Sequence, residues 1–204
     1  MKNFIEVFDN ALTSEQCKLI IDYMNGSNKL KKGETMGGVN TSIKDSYDLP
    51  LSLRDDDDDV NNILKESLLS CIDKYVESNS QLKLICDWGY DPEYNLQKYE
   101  PGGGYHDNHC EMASVRQAQR VGVWMFYLNT VTEGGGTRFD NFDYITDAVE
   151  GRCVIWPAYW THFHHGITSH TQTKYIATGW LKFHDHHFDF GVAESLGLNP
   201  TRIQ

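Results

Sequence analysis

The chain has 204 residues, a length that fits one domain and that buries roughly 70% of the surface of the unfolded chain. It carries 18 basic and 29 acidic residues, for a formal net charge of −11. Binding to phosphates requires clustered lysine and arginine, so this balance argues against nucleic acid or an anionic membrane as the main partner.

The five cysteines predict a reducing compartment, because their number is odd and no Cys-x-x-C pair occurs. The N-terminal sequence has no signal-peptide pattern, and no apolar run approaches the ~18–20 residues of a membrane helix. We therefore expect a cytoplasmic protein with free thiols.

The first 80 residues read as mainly helical. After a short strand at residues 4–8, Thr13 and Gln16 form a capping-box pattern before a helical stripe of apolar residues. Residues 26–48 are predicted to be irregular and mobile, and the sequence does not decide whether residues 33–50 form a lid. The clearest helix is predicted over residues 55–77, with one apolar stripe at 3.6 spacing. Its first five residues are all aspartates, which indicates a solvated helix start rather than a calcium loop, since the spaced oxygen ligands are missing.

From about residue 82 the pattern changes to short β-rich runs separated by glycine turns, which is typical of an antiparallel sandwich or barrel. The predicted strands are residues 94–100, 105–111, 121–129, 137–140, 152–156, 163–167 and 174–183. We predict one domain over residues 1–204: helical support in 1–80, a β core in 82–183 and a tail in 184–204.

A metal site is predicted from His109 and Glu111. Residues two apart on an extended strand present their side chains on the same face. Asp107 with His109 satisfies the same condition, so alternation alone leaves both pairs open. Two imidazoles and one carboxylate on one side of a metal leave positions free for small ligands, an arrangement that suits Fe(II) and oxygen chemistry.

The distal histidine of such a site comes from a second cluster, in which His162 and His164 share a strand face. From the residues alone the two cannot be separated. Lys174 follows His164 by ten residues and offers a cation for an acidic co-substrate, although an exposed strand lysine is the plain alternative. The histidine-rich run at residues 183–188 follows the last predicted strand and is interpreted as an adventitious metal binder at most.

A set of motifs carries a family resemblance through its order and spacing. The set is Gln97-Lys98-Tyr99-Glu100-Pro101-Gly102-Gly103-Gly104-Tyr105, His109-x-Glu111, Arg120, Phe126-Tyr127-Leu128-Asn129, Glu133-Gly134-Gly135-Gly136-Thr137-Arg138-Phe139, Gly151, His164-x-Gly166 and Lys174-Tyr175-Ile176-Ala177-Thr178-Gly179-Trp180. It resembles the prolyl 4-hydroxylase-like branch of the Fe(II)/2-oxoglutarate-dependent dioxygenases, and most of all its small bacterial and phage members. The match is close over residues 94–183 and loose before them.

The resemblance implies a double-stranded β-helix (jelly-roll), mainly β in an α+β class, with an N-terminal helical layer packed on one sheet. It implies Fe(II), 2-oxoglutarate and O₂ as cofactors, with ascorbate as a candidate reductant. The iron ligands that it implies are His109, Glu111 and His164. Its implied co-substrate residues are Lys174 and Tyr127 at the distal carboxylate, Thr178 as a further hydroxyl contact, Tyr99 near the metal-bound end, and Trp180 as a wall of the pocket.

The function that the resemblance implies is hydroxylation of an unactivated C–H bond, foremost on a peptidyl proline, with succinate and CO₂ as co-products. Alternatives are hydroxylation of a free amino acid or small metabolite, and a non-catalytic jelly-roll module with a structural metal. The expected partner is a peptide or small molecule, without nucleic acid or membrane. A phage-encoded enzyme acting in a bacterial host is a further expectation.

Two departures from the family pattern concern the metal site. The carboxylate ligand is usually Asp, and here it is Glu111, whose extra methylene matters because metal sites are sensitive to displacements of ~0.5 Å. The step from Tyr105 to His109 is four residues, where eukaryotic relatives often have three.

Overall fold

The computed structural model describes residues 2–35, 37–55, 58–85 and 87–184. Its α-helices are α1 (Ser14–Gly26) and α2 (Asp59–Ser78). Its strands are β1 (Glu6–Phe8), β2 (Lys31–Lys32), β3 (Lys44–Asp45), β4 (Tyr47–Ser52), β5 (Trp88–Tyr99), β6 (Gly104–Tyr105), β7 (Arg120–Tyr127), β8 (Thr137–Phe139), β9 (Tyr144–Thr146), β10 (Cys153–Pro157), β11 (His164–Gly166) and β12 (Lys174–Phe183).

Both helices begin at side chains that satisfy their free backbone N–H groups. Thr13 accepts from the Gln16 N–H while the Gln16 side chain accepts from the Thr13 N–H, so the predicted capping box is present. Helix α2 starts at Asp59, later than predicted, because the Asp58 carboxylate accepts the N–H groups of Val60 and Asn61. Asp56 and Asp57 of the acidic run lie outside the described residues.

The strands form a seven-stranded antiparallel sheet, ordered β1-β10-β7-β12-β5-β4-β2, and a three-stranded sheet, ordered β11-β8-β9. A third pair, β3 with β6, lies beside them. This arrangement confirms the predicted jelly-roll with a helical layer.

Alternation along β7 divides the core into two parts. Trp124 and Phe126 belong to a cluster that includes Leu64 and Leu68 of α2, so the helices cover the outer face of the large sheet. Val123 and its in-phase neighbours belong to the second cluster, between the two sheets. A buried hydrogen bond from the Tyr94 hydroxyl to Asn61 Oδ1 (2.7 Å) joins the large sheet to α2.

The N-terminal region contributes more strand than predicted. β1 pairs with β10 at one edge of the large sheet, while β4 pairs with β5 near the other. The segment predicted to be irregular therefore contains β2, β3 and the start of β4. These strands form because β2 pairs with β4, β3 pairs with β6, and β4 pairs with β5. That the chain is one domain stays a prediction, although the main sheet draws strands from both sides of residue 80.

The strand predicted over residues 105–111 is wrong. β6 ends at Tyr105, and His109 makes only an isolated antiparallel bridge with His164.

Within the described residues, Cys17, Cys71, Cys110 and Cys153 are free thiols. Cys86 and most of the tail, residues 185–204, lie outside the described residues. Among the described helices, none combines the length and apolar composition that a membrane crossing requires.

Candidate active site

A cavity of about 510 Å³ opens between the two sheets. Its wall includes His109, Glu111 and His164 in one region and Lys174 in another. Within the described residues, His109, Glu111 and His164 form a group of possible metal ligands, because their ligand atoms all lie within 4.8 Å of one another. The sequence motifs, distant along the chain, therefore meet in one place.

The carboxylate and the two imidazoles of this group converge on one point. Glu111 Oε1 lies 3.4 Å from His109 Nε2 and 3.8 Å from His164 Nε2. The imidazole rings are 4.4 Å apart between centroids, at an angle of 49°. The same-face prediction for His109 and Glu111 therefore holds although no strand forms there.

Backbone contacts fix both imidazoles. His109 and His164 exchange two backbone hydrogen bonds of 2.9 and 2.8 Å. His109 Nδ1 lies 2.9 Å from the Asp107 carbonyl, and His164 Nδ1 lies 2.9 Å from the His162 carbonyl. Because a carbonyl only accepts, each Nδ1 carries a proton, and each Nε2 points toward Glu111.

His162 lies outside the site. Its Nε2 donates to the Asn3 carbonyl at 2.7 Å, and its ring packs against Phe142 at 4.9 Å. The structure therefore brings His164, and not His162, to the cavity. Asp107 is likewise absent from the ligand group, so the alternative pair Asp107/His109 is not formed.

The electrostatics of the site keep the Glu111 carboxylate charged and the His164 imidazole neutral. Burial by itself would raise the pKa of Glu111, but His109, His164 and the Trp180 indole N–H lower it to about 2. Burial, with a further contribution from His109, lowers the pKa of His164 to about 4. Neutral imidazoles and an ionised carboxylate are the forms that bind a divalent metal.

Lys174 places a buried ammonium in the cavity wall. Its ammonium donates to the Gly135 carbonyl at 3.1 Å and lies 4.8 Å above the Tyr99 ring. Among the described residues, no carboxylate lies within 4 Å of it, and burial lowers its pKa to about 8. A buried ammonium is costly unless paired, so this one is suited to an anionic ligand.

Strand β12 places four side chains along the cavity at alternate positions: Lys174, Ile176, Thr178 and Trp180. The Thr178 hydroxyl donates to the Trp124 carbonyl at 3.0 Å, which leaves its oxygen lone pairs for a ligand. Tyr99, on the neighbouring β5, donates its hydroxyl to Gln97 Oε1 at 2.7 Å.

Tyr127 is the predicted site residue that does not reach the cavity. It is fully buried, and its hydroxyl lies 2.7 Å from Thr137 Oγ1. Thr137, on β8, lines the cavity in its place. Sequence phase could place Tyr127 on the correct face, but it could not show that a side chain from the other sheet comes between.

Sequence reasoning also missed the role of Arg120. The Arg120 guanidinium donates to the Glu111 carbonyl at 2.9 Å and to Glu111 Oε2 at 3.1 Å. Trp180 was predicted only as a wall, yet its indole N–H donates to the same Oε2 at 2.8 Å. Cys110 also lies in the cavity wall.

A second polar wall comes from β3, β4 and β5. Asp48 accepts from the Lys44 ammonium at 2.5 Å, from Ser46 at 2.7 Å and from Gln97 at 3.3 Å. The alternation of polar residues at 44, 46 and 48 was a signal of an inward-facing polar strand.

The histidine-rich run at residues 183–188, interpreted from the sequence as an adventitious metal binder, lies outside the described residues beyond His184.

Comparison with known proteins finds a family match over the β core and the same fold in solved structures. Residues 94–182 match the 2OG-Fe(II) oxygenase superfamily, while no curated protein sequence matches. Similar solved structures, each 16% identical to this chain, show the same fold. They are the viral collagen prolyl hydroxylase of Paramecium Bursaria Chlorella virus-1 (TM-score 0.64, covering 88% of this chain and 96% of that one), a Pseudomonas putida prolyl-4-hydroxylase (0.66, 90% and 94%) and a Trichoplax adhaerens prolyl hydroxylase with a hypoxia inducible factor peptide (0.66, 89% and 84%).

Residues 94–182 thus match the 2OG-Fe(II) oxygenase superfamily, and the chain has a prolyl hydroxylase-like fold. The family match implies Fe(II), 2-oxoglutarate and O₂ as cofactors. The donor set fits this oxygenase chemistry, because two imidazoles and one carboxylate suit Fe(II) and occupy only part of its coordination sphere.

Proposed function

We propose that His109, Glu111 and His164 hold the Fe(II) ion of this oxygenase and that Lys174 binds the distal carboxylate of 2-oxoglutarate. One observation carries the proposal: a three-donor set shares one cavity with a buried ammonium that pairs with no carboxylate in the described part of the chain. A structural metal site would have a closed set of protein ligands and no need for the second feature.

The proposed roles of the other residues follow from their contacts. Thr178 and Thr137 offer hydroxyls to 2-oxoglutarate, and Tyr99 holds its ring beneath the Lys174 ammonium. Tyr127 acts through Thr137 by orienting its hydroxyl. When bound, Fe(II) and 2-oxoglutarate activate O₂ for attack on an unactivated C–H bond, and 2-oxoglutarate leaves as succinate and CO₂.

We infer that the substrate is foremost a peptidyl proline. The support is the shared fold with prolyl hydroxylases, one of which was solved with a peptide fragment bound. Fold similarity supports a substrate class only by analogy.

A free amino acid is the second candidate, favoured by the polar wall of the cavity. The buried Lys44–Asp48 pair places one cation and one anion side by side in that wall, facing the same cavity as the metal ligands. A zwitterionic substrate carries the complementary pair of charges, whereas a prolyl ring within a peptide carries none.

The test has two arms. In the first, anaerobic addition of 2-oxoglutarate to the Fe(II) protein should give a metal-to-ligand charge-transfer band, which His164→Ala should lose and His162→Ala should keep. In the second, proline-containing peptides and free amino acids are incubated aerobically and analysed by mass spectrometry for the gain of one oxygen atom. Absence of the band in the wild-type protein would contradict the assigned ligands, and oxygen gain confined to free amino acids would replace the peptide substrate.

A further inference from the structure

The two carboxylate oxygens of Glu111 have different surroundings. Oε1 faces the Nε2 atoms of His109 and His164, as described above. Oε2 faces away and accepts two hydrogen bonds, from Arg120 Nη1 and from Trp180 Nε1. One oxygen is therefore available to a metal, while the other is held by the protein.

The two donors to Oε2 also hold each other. The Arg120 guanidinium carbon lies 3.8 Å from the centre of the Trp180 ring, a stacked cation–π contact. Both residues belong to neighbouring strands of the large sheet, in which Trp180 pairs with Val123 and Arg120 pairs with Lys182. Glu111, in contrast, lies in an irregular segment whose backbone is tied to the Ala158 carbonyl. Rigid strand residues therefore position a ligand that the backbone around it does not hold in regular structure.

We propose that Arg120 and Trp180 form a carboxylate clamp that adapts this oxygenase to glutamate as its iron ligand. The inference rests on the proposed assignment of Glu111 to the metal. The clamp holds Oε2, so Glu111 binds the metal through Oε1 alone and leaves the remaining coordination positions open. It also accounts for the extra methylene, since an aspartate at position 111 is shorter and cannot place one oxygen at the histidines and the other at both donors.

The experiment measures the affinity of the protein for Mn(II), in the absence of 2-oxoglutarate and substrate, from the electron paramagnetic resonance signal of free Mn(II). Trp180→Phe keeps an aromatic ring under Arg120 but removes one donor, and Arg120→Lys keeps the charge but loses the planar fork. Partners of metal ligands typically contribute tenfold to a hundredfold in affinity. We therefore expect each variant to bind Mn(II) about tenfold or more weakly.

Matched controls separate the clamp from a general loss of structure. Trp88 also donates its indole N–H, to the Leu82 carbonyl at 3.1 Å, and Arg152 is buried to a similar extent and pairs with Asp9. Trp88→Phe and Arg152→Lys should leave the Mn(II) affinity within about twofold of wild type. A residue that only contacts substrate would behave like these controls.

A double-mutant cycle tests the link to glutamate. In the Glu111→Asp background, where the carboxylate no longer reaches both donors, Trp180→Phe should change the Mn(II) affinity by less than about twofold, so the two substitutions are not additive. The clamp is overturned if Trp180→Phe and Arg120→Lys bind Mn(II) like the controls, or if Trp180→Phe costs the same with aspartate as with glutamate. Failure of the metal assignment has a different signature: wild type would not bind Mn(II), or His109→Ala would bind it unchanged.

Discussion

His162 and His164 differ in what their Nε2 atoms contact, and this difference should separate the effects of replacing them. We expect His109→Ala, Glu111→Ala and His164→Ala each to abolish 2-oxoglutarate turnover, because a divalent metal is left with two ligands. His162→Ala removes a hydrogen bond to Asn3 and should cost only on the order of 1 kcal/mol of unfolding free energy while turnover persists. Turnover by release of CO₂ and unfolding by denaturant titration measure the two effects. A dead His162→Ala with an active His164→Ala would reverse the distal assignment.

Lys174 should make 2-oxoglutarate binding depend on pH. Burial lowers its pKa to about 8, so the ammonium is present below that pH and is lost above it. Binding of the 2-oxoglutarate dianion should therefore weaken as pH rises past about 8, by up to about tenfold per pH unit for one linked proton. Tyr99 and Tyr127, which face or adjoin this region, have pKa values raised by burial and stay neutral over this range.

The control for this prediction is Lys174→Arg, which stays charged and should give a flat pH profile. Lys174→Ala should weaken 2-oxoglutarate binding on the order of a hundredfold or more at neutral pH, since loss of one partner of a buried charge pair costs about 3–5 kcal/mol. Titration of the anaerobic Fe(II) protein, read by the charge-transfer band, gives these affinities. A wild-type profile as flat as that of Lys174→Arg would remove Lys174 from the co-substrate site.

Helix α2 supports the sheet that carries Lys174 and Trp180, and two adjacent leucines on it have opposite environments. Leu68 is fully buried against the outer face of the sheet, whereas Leu69 is 43% exposed. We expect Leu68→Ala to lower the free energy of unfolding by about 2–5 kcal/mol and Leu69→Ala by about 0.5 kcal/mol or less. Denaturant unfolding of both variants measures the difference. Equal losses would mean that α2 does not pack as described.

The strand and helix pattern from the sequence was sufficient for most elements, and the reasons for its failures are physical. β12 begins and ends where predicted, because the run from Lys174 to Phe183 is rich in β-branched and aromatic residues and contains no proline. β2 and β3 are two residues long and exist only through their partners, so no periodicity within them could reveal them. Local pattern predicts an element only when the element itself is long enough to carry one.

For the site, the sequence predicted which face of a strand a side chain occupies, but it could not predict whether that side chain reaches the cavity. His162 and His164 were equivalent by alternation, and the 3₁₀ turn at Trp160–His162 breaks that alternation. Tyr127 was in phase with the cavity side of β7, yet Thr137 from the opposite sheet comes between. The outcome for Tyr127 depends on how the two sheets approach each other, which a single strand does not encode.

The folded protein as a whole should respond to metal binding, because the ligands come from segments far apart in the chain. His164 lies 53 residues after Glu111, and the unfolded chain offers no such group. Mn(II) at a hundred times its dissociation constant should raise the free energy of unfolding by about 2.7 kcal/mol. For a protein of this size, that corresponds to a rise in Tm of about 5–10 °C.

Calorimetry with and without Mn(II) tests this expectation, with His164→Ala as the control that should show no shift. An equal shift in His164→Ala would mean that the stabilising metal binds elsewhere, for which the histidine-rich run at residues 183–188 is the first candidate. The outcome thus distinguishes a metal held by the jelly-roll from one held by the tail.

The backbone bridge between His109 and His164 has a consequence for the order of events in synthesis. Since the two imidazoles are aligned by hydrogen bonds between their own main chains, the binding point exists only after β11 has joined its neighbours. A ribosome-bound chain that ends before residue 164 has no such point. Under the proposed ligand assignment, the complete iron site forms only in the folded protein, so metal uptake after translation should report how many molecules have folded to completion.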